Sequence, residues 1–279
     1  MVGALSVADD PVTRARLCAI VAVAVGLAFV PSRAEAYRPF DGTDADVAET
    51  GVFELELGPV QYLRLGRQNF LIAPDLVLNL GVFEGTELVI DADQYIGLGP
   101  LDPDTPRVSL LGDDVLMKHV FLEGTLQEKP GISLAAEGGV LTPEVNGSPG
   151  FGASLDVIAS YQWSWGTVHW NEWFQFTRDH TEDLYTGVIL EGPHDWTVRP
   201  VAELFYDRDF SVDQTASVLV GAIWTVSDRL AFDAAIRGAW EDGTYVGEAR
   251  LGLTWAIPVW DRAGGISPHA RGRGFRPSG

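Results

Sequence analysis

The groups that could do chemistry in this 279-residue chain are its carboxylates, a few arginines and a small cluster around His169. A serine hydrolase needs a histidine within reach of the serine hydroxyl and a third group to orient the ring. His169 and Asn171 lie two apart in "GTVHWNEW", so an extended backbone puts them on one face, with Ser160 or Ser164 of "ASYQWSW" a short way upstream. No G-x-S-x-G elbow accompanies them. Polar lining is the simpler reading, and no residue is assigned a catalytic role. The stretches "DPDTP", "RDHTED" and "DRDFSVDQ" offer oxygen donors, but none has the spacing of an EF-hand loop. Zinc-ligand spacing and phosphate-cradling glycine loops are both missing from the sequence, so neither a metal nor a cofactor is expected.

The carboxylates follow a rule. In "GVFELELGPV", Glu54 and Glu56 alternate with Phe53, Leu55 and Leu57, which marks a strand with one polar and one apolar face. The same parity collects on the polar face Glu54, Glu56, Asp75, Asn79, Glu87, Asp91, Asp93, Lys118, Glu137 and Asp156, then Arg199, Glu203, Asp233, Arg237, Glu248 and Arg250. Acids dominate the early segments and arginines enter in the later ones. Two arrangements would use them. Arg–carboxylate pairs could fill a narrow interior, or opposed rows of charge could line a water-filled path and set its selectivity.

The elements that carry these residues read as strands throughout. Alternating segments fall at about 51–64, 69–82, 86–95, 108–122, 131–141, 152–165, 167–178, 183–191, 195–206, 214–225, 229–240 and 244–257, separated by turn signals. Each is near or above the roughly 9–11 residues that a tilted membrane-crossing strand needs. Twelve, an even number, suits a single-chain bacterial barrel. A soluble sheet alternates too, so a soluble exported β-protein with a binding role stays open. The tryptophans favour the membrane: Trp163, Trp165, Trp170, Trp196, Trp224 and Trp260 all fall at strand ends beside the same set of turns, as in an interfacial girdle. Connections alternate between short turns and longer Asp/Gly/Pro-rich loops, except at "EGTLQEKPG", "LGRQN" and "EDGTY". The predicted fold is an antiparallel up-and-down transmembrane β-barrel of about twelve strands.

The flanks divide the rest. "TRARLCAIVAVAVGLAFVPSRAEA" has a charged start, an apolar run and an A-x-A-like site, so residues 1–36 read as a signal peptide for export. Cys18, the single cysteine of the sequence, lies inside it, so the mature chain has no disulfide. Residues 37–50 are an acidic N-terminal arm, 51–260 the barrel and 261–279 a basic, Gly-rich tail. A net charge of −20 leaves no basic face for a nucleic acid. The expected partners are outer-membrane lipid and a small-molecule solute.

"RPFDGTDADVAETGVFELELGPVQYLR" followed by "APDLVLNLGVFEGTELVID" resembles the start of the meta-pathway phenol-degradation family of bacterial outer-membrane barrels, clearest over residues 38–93, with a weaker echo at "DDVLMKHVFLE". The resemblance implies a transporter-like barrel in the outer membrane for a small solute, aromatic and hydrophobic ones included. Barrels of this kind commonly end on an aromatic residue; here the tail follows "WAIPVW". A passive channel is therefore the leading reading, and a barrel-embedded hydrolase using the His/Ser group the alternative. Because a barrel must pair its first strand with its last, Glu54 and Glu56 are expected to meet Arg250 and Arg237.

Overall fold

The computed structural model describes residues 38–210 and 212–260. The expected signal peptide over 1–36 and the tail over 261–279 lie outside the described residues, as does Tyr37 at the start of the arm. Twelve strands run up and down: β1 Val52–Leu65, β2 Gln68–Phe83, β3 Thr86–Leu98, β4 Val108–Leu122, β5 Ser133–Leu141, β6 Gly152–Trp163, β7 Gly166–Phe176, β8 Glu182–Glu191, β9 Val198–Asp209, β10 Gln214–Ser227, β11 Leu230–Glu241 and β12 Thr244–Pro258. Each pairs antiparallel with its chain neighbours, and β1 pairs with β12, which closes the barrel. Among the described residues no helix is long and apolar enough to cross a membrane; a barrel crosses with strands instead.

The alternation has the inverse sense of a soluble core. In β10, Ser217, Leu219 and Ile223 point in and are buried, while Val218, Val220 and Trp224 point out and are exposed. Ile236 is 63% exposed and Leu251 56%, yet Glu203 is 1% and Lys118 2%. Charges inside and aliphatics outside are the arrangement lipid favours. We predict that Leu155→Arg, on the outer face of β6, lowers barrel stability by roughly 2–4 kcal/mol if the site lies near mid-membrane. Urea titration of protein refolded into vesicles would measure this. A cost no greater than that of an arginine at an exposed loop position would contradict the lipid-facing assignment.

The aromatics occupy both rims. At the end where β1 starts and β12 finishes (the terminal end), Trp165, Trp170, Trp196, Trp224, Trp255 and Trp260 are exposed, with Trp163 edge-on to Trp165 at 4.6 Å. At the opposite, loop end a second ring of exposed aromatics includes Phe174, Phe176, Tyr206, Phe210, Trp240 and Tyr245. Sequence reading had found the first belt alone.

The three exceptions to the loop rule persist, and two have a clear reason. The 123–132 connection at the terminal end is long because it contains a 3₁₀ turn, Thr125–Gln127, whose Gln127 side chain reaches into the bore. The β11–β12 turn is short because Asp242 and Gly243 both adopt positive φ (44° and 83°), as a two-residue hairpin turn requires.

The register corrects one expectation. The first and last strands are adjacent, but Glu54 lies opposite Ala256 and Glu56 opposite Thr254, while Arg250 lies opposite Gln61. A bulge at Gly58–Pro59 interrupts the ladder between these two parts. Glu54 and Glu56 are thus four to six residues along the strand from Arg250, roughly 14–20 Å at about 3.4 Å per residue. The described residues contain no cysteine, and cysteines placed at Glu54 and Ala256 are expected to crosslink. Cysteines at Glu54 and Arg250 are expected not to; crosslinking of the second pair alone would overturn this register.

Candidate functional site

The structure places all fifteen charged lumen candidates on the inner wall. Glu54, Glu56, Glu87, Lys118, Asp156, Arg199, Glu203, Asp233, Glu248 and Arg250 are buried; Asp75, Asp91, Asp93, Glu137 and Arg237 are partly buried. Eleven of the fifteen are acids and four are cations, so pairing across the bore cannot neutralise them. The arm engages five of the acids, Glu56, Asp75, Glu87, Glu203 and Asp233. Residues 38–50 run inside the barrel with no regular secondary structure, and inner-wall side chains accept their backbone N–H groups.

Those acceptors come from strands far apart in sequence. Glu56 of β1 accepts from Arg38 N at 3.1 Å, and both carboxylate oxygens of Glu203 in β9 accept, from Asp41 N at 2.9 Å and Gly42 N at 2.7 Å. Asn171 of β7 accepts from Thr43 N and donates to Thr43 O, each at 2.7 Å. Ser160 of β6 accepts from Ala45 N at 3.0 Å, and Glu87 of β3 from Ala48 N at 2.6 Å. Buried backbone donors must find partners. A chain in a bore has no ladder to join, so carboxylates and an amide serve in place of one.

Side chains complete the attachment. The Arg38 guanidinium pairs with Asp75 and lies 3.6 Å from Asp233, which ties the arm to β2 and β11. It fits because Gly252 leaves room; a Cβ there would lie 2.3 Å from Arg38 Nε. Arg250 of β12 donates to Pro39 O and to Asp41 Oδ1, both at 2.8 Å. Lys118 of β4 reaches Thr43 Oγ1 at 3.1 Å and lies 3.4 Å from Asp44. Gln127 donates to Ala45 O at 2.7 Å. Two small apolar patches add to this: Phe40 packs on Val201, Ile223 and Ala231, and Ala45 packs with Val120, Ala135 and Ile158.

The closing strands form their own knot. Glu248 accepts from Arg237 Nε at 2.5 Å and from Arg250 Nε at 3.0 Å, and it also bonds the Gln61 amide of β1. The arginines of β11 and β12 therefore answer to Glu248 and the arm, while Glu56 answers to Asn79, which donates at 2.9 Å, and to the arm.

The His169 cluster is assembled, in part as its spacing suggested. His169 Nδ1 lies 2.8 Å from Ser160 Oγ, and its Nε2 lies 3.0 Å from Glu191, which in turn pairs with Arg199 Nε at 2.6 Å. Asn171 does not orient the ring, because it holds Thr43; Ser164 stands exposed in the β6–β7 turn. Ser160 is 1% exposed and its oxygen already accepts from Ala45, so no carbonyl can approach it with the arm in place. Outside the spanning strands, in the β8–β9 connection, burial pushes the His194 imidazole below its ordinary pKa against the pull of Glu191; Arg199 adds to the lowering. Among the described residues no group of His, Cys, Asp and Glu could hold a metal ion.

No protein-family model and no curated protein matches the chain. Solved structures do. An outer-membrane channel from Pseudomonas putida F1 superposes with a TM-score of 0.52 at 10% identity, covering 78% of this chain and 99% of that one. The chain folds as an outer-membrane-type β-barrel. A KdgM porin (TM-score 0.47, 12% identity, 72% of this chain and 98% of that one) and the CymD monoaromatic hydrocarbon channel (0.43, 10%, 75% and 89%) are also similar. No family match supports the narrower resemblance to the phenol-degradation group.

Beside the arm a cavity of about 1610 Å³ remains. It is lined by Asp75, Asp91, Asp93, Asp114, Glu137 and Asp156 on the early strands and by Arg237 and Arg250 on the closing ones, so the two sets of charge face each other across open space. The sequence does not single out Arg38, Asp41, Thr43 and Asp44, arm residues whose side chains tie it to the wall. Nor does it single out Arg178 of the β7–β8 loop, which pairs with Asp114 and donates to Thr142 O at 2.7 Å.

Proposed function

We propose that the protein is a passive channel of the bacterial outer membrane for a small solute, exported by its N-terminal signal, with its bore narrowed by its own arm. The observation that carries this is the pairing of an aliphatic outer surface, belted by aromatics at both rims, with a polar interior that keeps a cavity of about 1610 Å³. A barrel serving only as a scaffold would fill that space with side chains. A neighbour that shares the fold is an outer-membrane channel, which supports the reading. A wall of carboxylates favours polar or ring-bearing polar solutes over hydrocarbons, because a purely apolar solute would displace water from charged groups without replacing its hydrogen bonds. Refolded mature protein in a planar bilayer is expected to give stepwise conductance. Silence both from the intact chain and from a chain lacking residues 38–50 would overturn the channel reading.

A further inference from the structure

A second cavity, of about 260 Å³, lies at the loop end, with Asp41 of the arm among its lining residues. Its wall carries three rings in sequence: Trp173 stacks on Tyr185 at 4.6 Å, and Tyr185 meets Phe205 at 4.9 Å. Asp207, Thr215 and Glu241 line the same space. The Tyr185 hydroxyl is engaged, donating to Glu203 at 3.1 Å, so the rings are held in place from behind.

The charges around this cavity are unequally satisfied. Arg237, which also lines it, is bonded to Glu248 at 2.5 Å and has its guanidinium 5.7 Å from the Phe205 centroid. Asp41 is held by Arg250. Asp207 differs. Its carboxyl group lies against that of Asp183, on the same inner face of the neighbouring strand, and Oδ1 of each is buried with no donor other than a proton the two would share. Neither carboxylate forms a salt bridge among the described residues. Two ionised carboxylates on adjacent strands repel; a shared proton relieves the repulsion, and so would a cation that displaced that proton.

We propose that this cavity binds an arylalkyl ammonium: a single aromatic ring against Trp173, Tyr185 and Phe205, with its ammonium at Asp207 and Glu241. The size fits, since a cavity of about 150 Å³ holds benzene and this one leaves room for a short amine-bearing chain. Stacked ring faces attract both another ring and an adjacent cation, and the carboxylates supply charge-assisted hydrogen bonds. The site deepens the channel reading by naming a solute class, and it rests on that reading only for its biological use.

Binding can be measured without conduction. Calorimetric titration of the refolded mature protein in detergent, near neutral pH, would compare phenethylammonium chloride, sodium phenylacetate and ethylbenzene. Phenethylammonium is expected to bind saturably at one site, at least about tenfold more tightly than phenylacetate, the worth of one charged hydrogen bond. Asp207→Asn is expected to weaken it by a similar factor, Asp207→Glu to retain most of it, and Phe205→Leu to weaken phenethylammonium and ethylbenzene alike. Variants are scored only if they keep the heat-modifiable mobility of a folded barrel, and the Glu variant guards against a merely structural loss. Phenylacetate binding as tightly as the amine, unchanged affinity in Asp207→Asn, or uptake that never saturates would each overturn the site. Conductance without amine binding would sink this inference alone, and amine binding without conductance would sink the channel reading alone.

Discussion

Replacing Glu248 by alanine is expected to destabilise the barrel by about 3–5 kcal/mol, because it strands buried cations rather than merely deleting a pair. Glu248 lies opposite Arg237 in the β11–β12 register and accepts from it at 2.5 Å; it also accepts from Arg250 and bonds Gln61 of β1. One carboxylate thus joins three strands at the seam where the barrel closes. Both guanidiniums are mostly buried, and without Glu248 Arg237 keeps the Phe205 ring and the more distant Asp41 and Glu241 for compensation. Glu248→Gln, which retains acceptor oxygen but not charge, should cost less. Equilibrium urea unfolding in lipid vesicles gives the difference directly. A loss below about 1 kcal/mol would mean that water reaches the knot and screens it as it does a surface pair.

Excising residues 38–50 is expected to raise single-channel conductance several-fold while the barrel still folds. The arm crosses the bore from β3 to β12, and its removal joins the space it fills to the adjacent cavity. The exposed acceptors, Glu56, Glu87, Glu203 and Asn171, would hydrate, so the stability cost is offset by solvation. Arg38→Ala is the milder version. It removes the ties to Asp75 and Asp233 but leaves the backbone bonds, and should give flickering between the narrow and wide levels. Equal conductance in all three chains would show that the arm does not limit passage.

The barrel itself was legible in the sequence because strand periodicity is local. Glu54, Glu56 and the leucines between them need only their own alternation to declare two faces, and twelve such segments were found close to their true ends. The arm was not legible for the opposite reason. "RPFDGTDADVAET" has no period, and its polarity resembles that of a solvated leader; its partners, such as Glu203 and Arg250, lie more than 150 residues away and contribute single bonds rather than a pattern. The charge pairing of Glu54 and Glu56 was misjudged by a register that a Gly58–Pro59 bulge and strand tilt decide, neither of which alternation reports. His169 was found beside Ser160 because neighbouring hairpin strands place them together, but Glu191 and Arg199 completed the cluster from the next hairpin, whose register the sequence left open.

The distribution of the arm's anchors has a consequence for assembly. Its contacts come from β1, β2, β3, β4, β6, β7, β9, β11 and β12, and those to Arg250 span 209 and 211 residues of chain. A partly built sheet offers too few of them to repay the entropy of confining an unstructured segment. The arm precedes every strand in the chain and is the last to find its place: the final strand must arrive before Pro39 and Asp41 have their partner. Every species that precedes closure is therefore an unstoppered one, and the barrel enters the membrane open and narrows its own bore only once its seam is sealed.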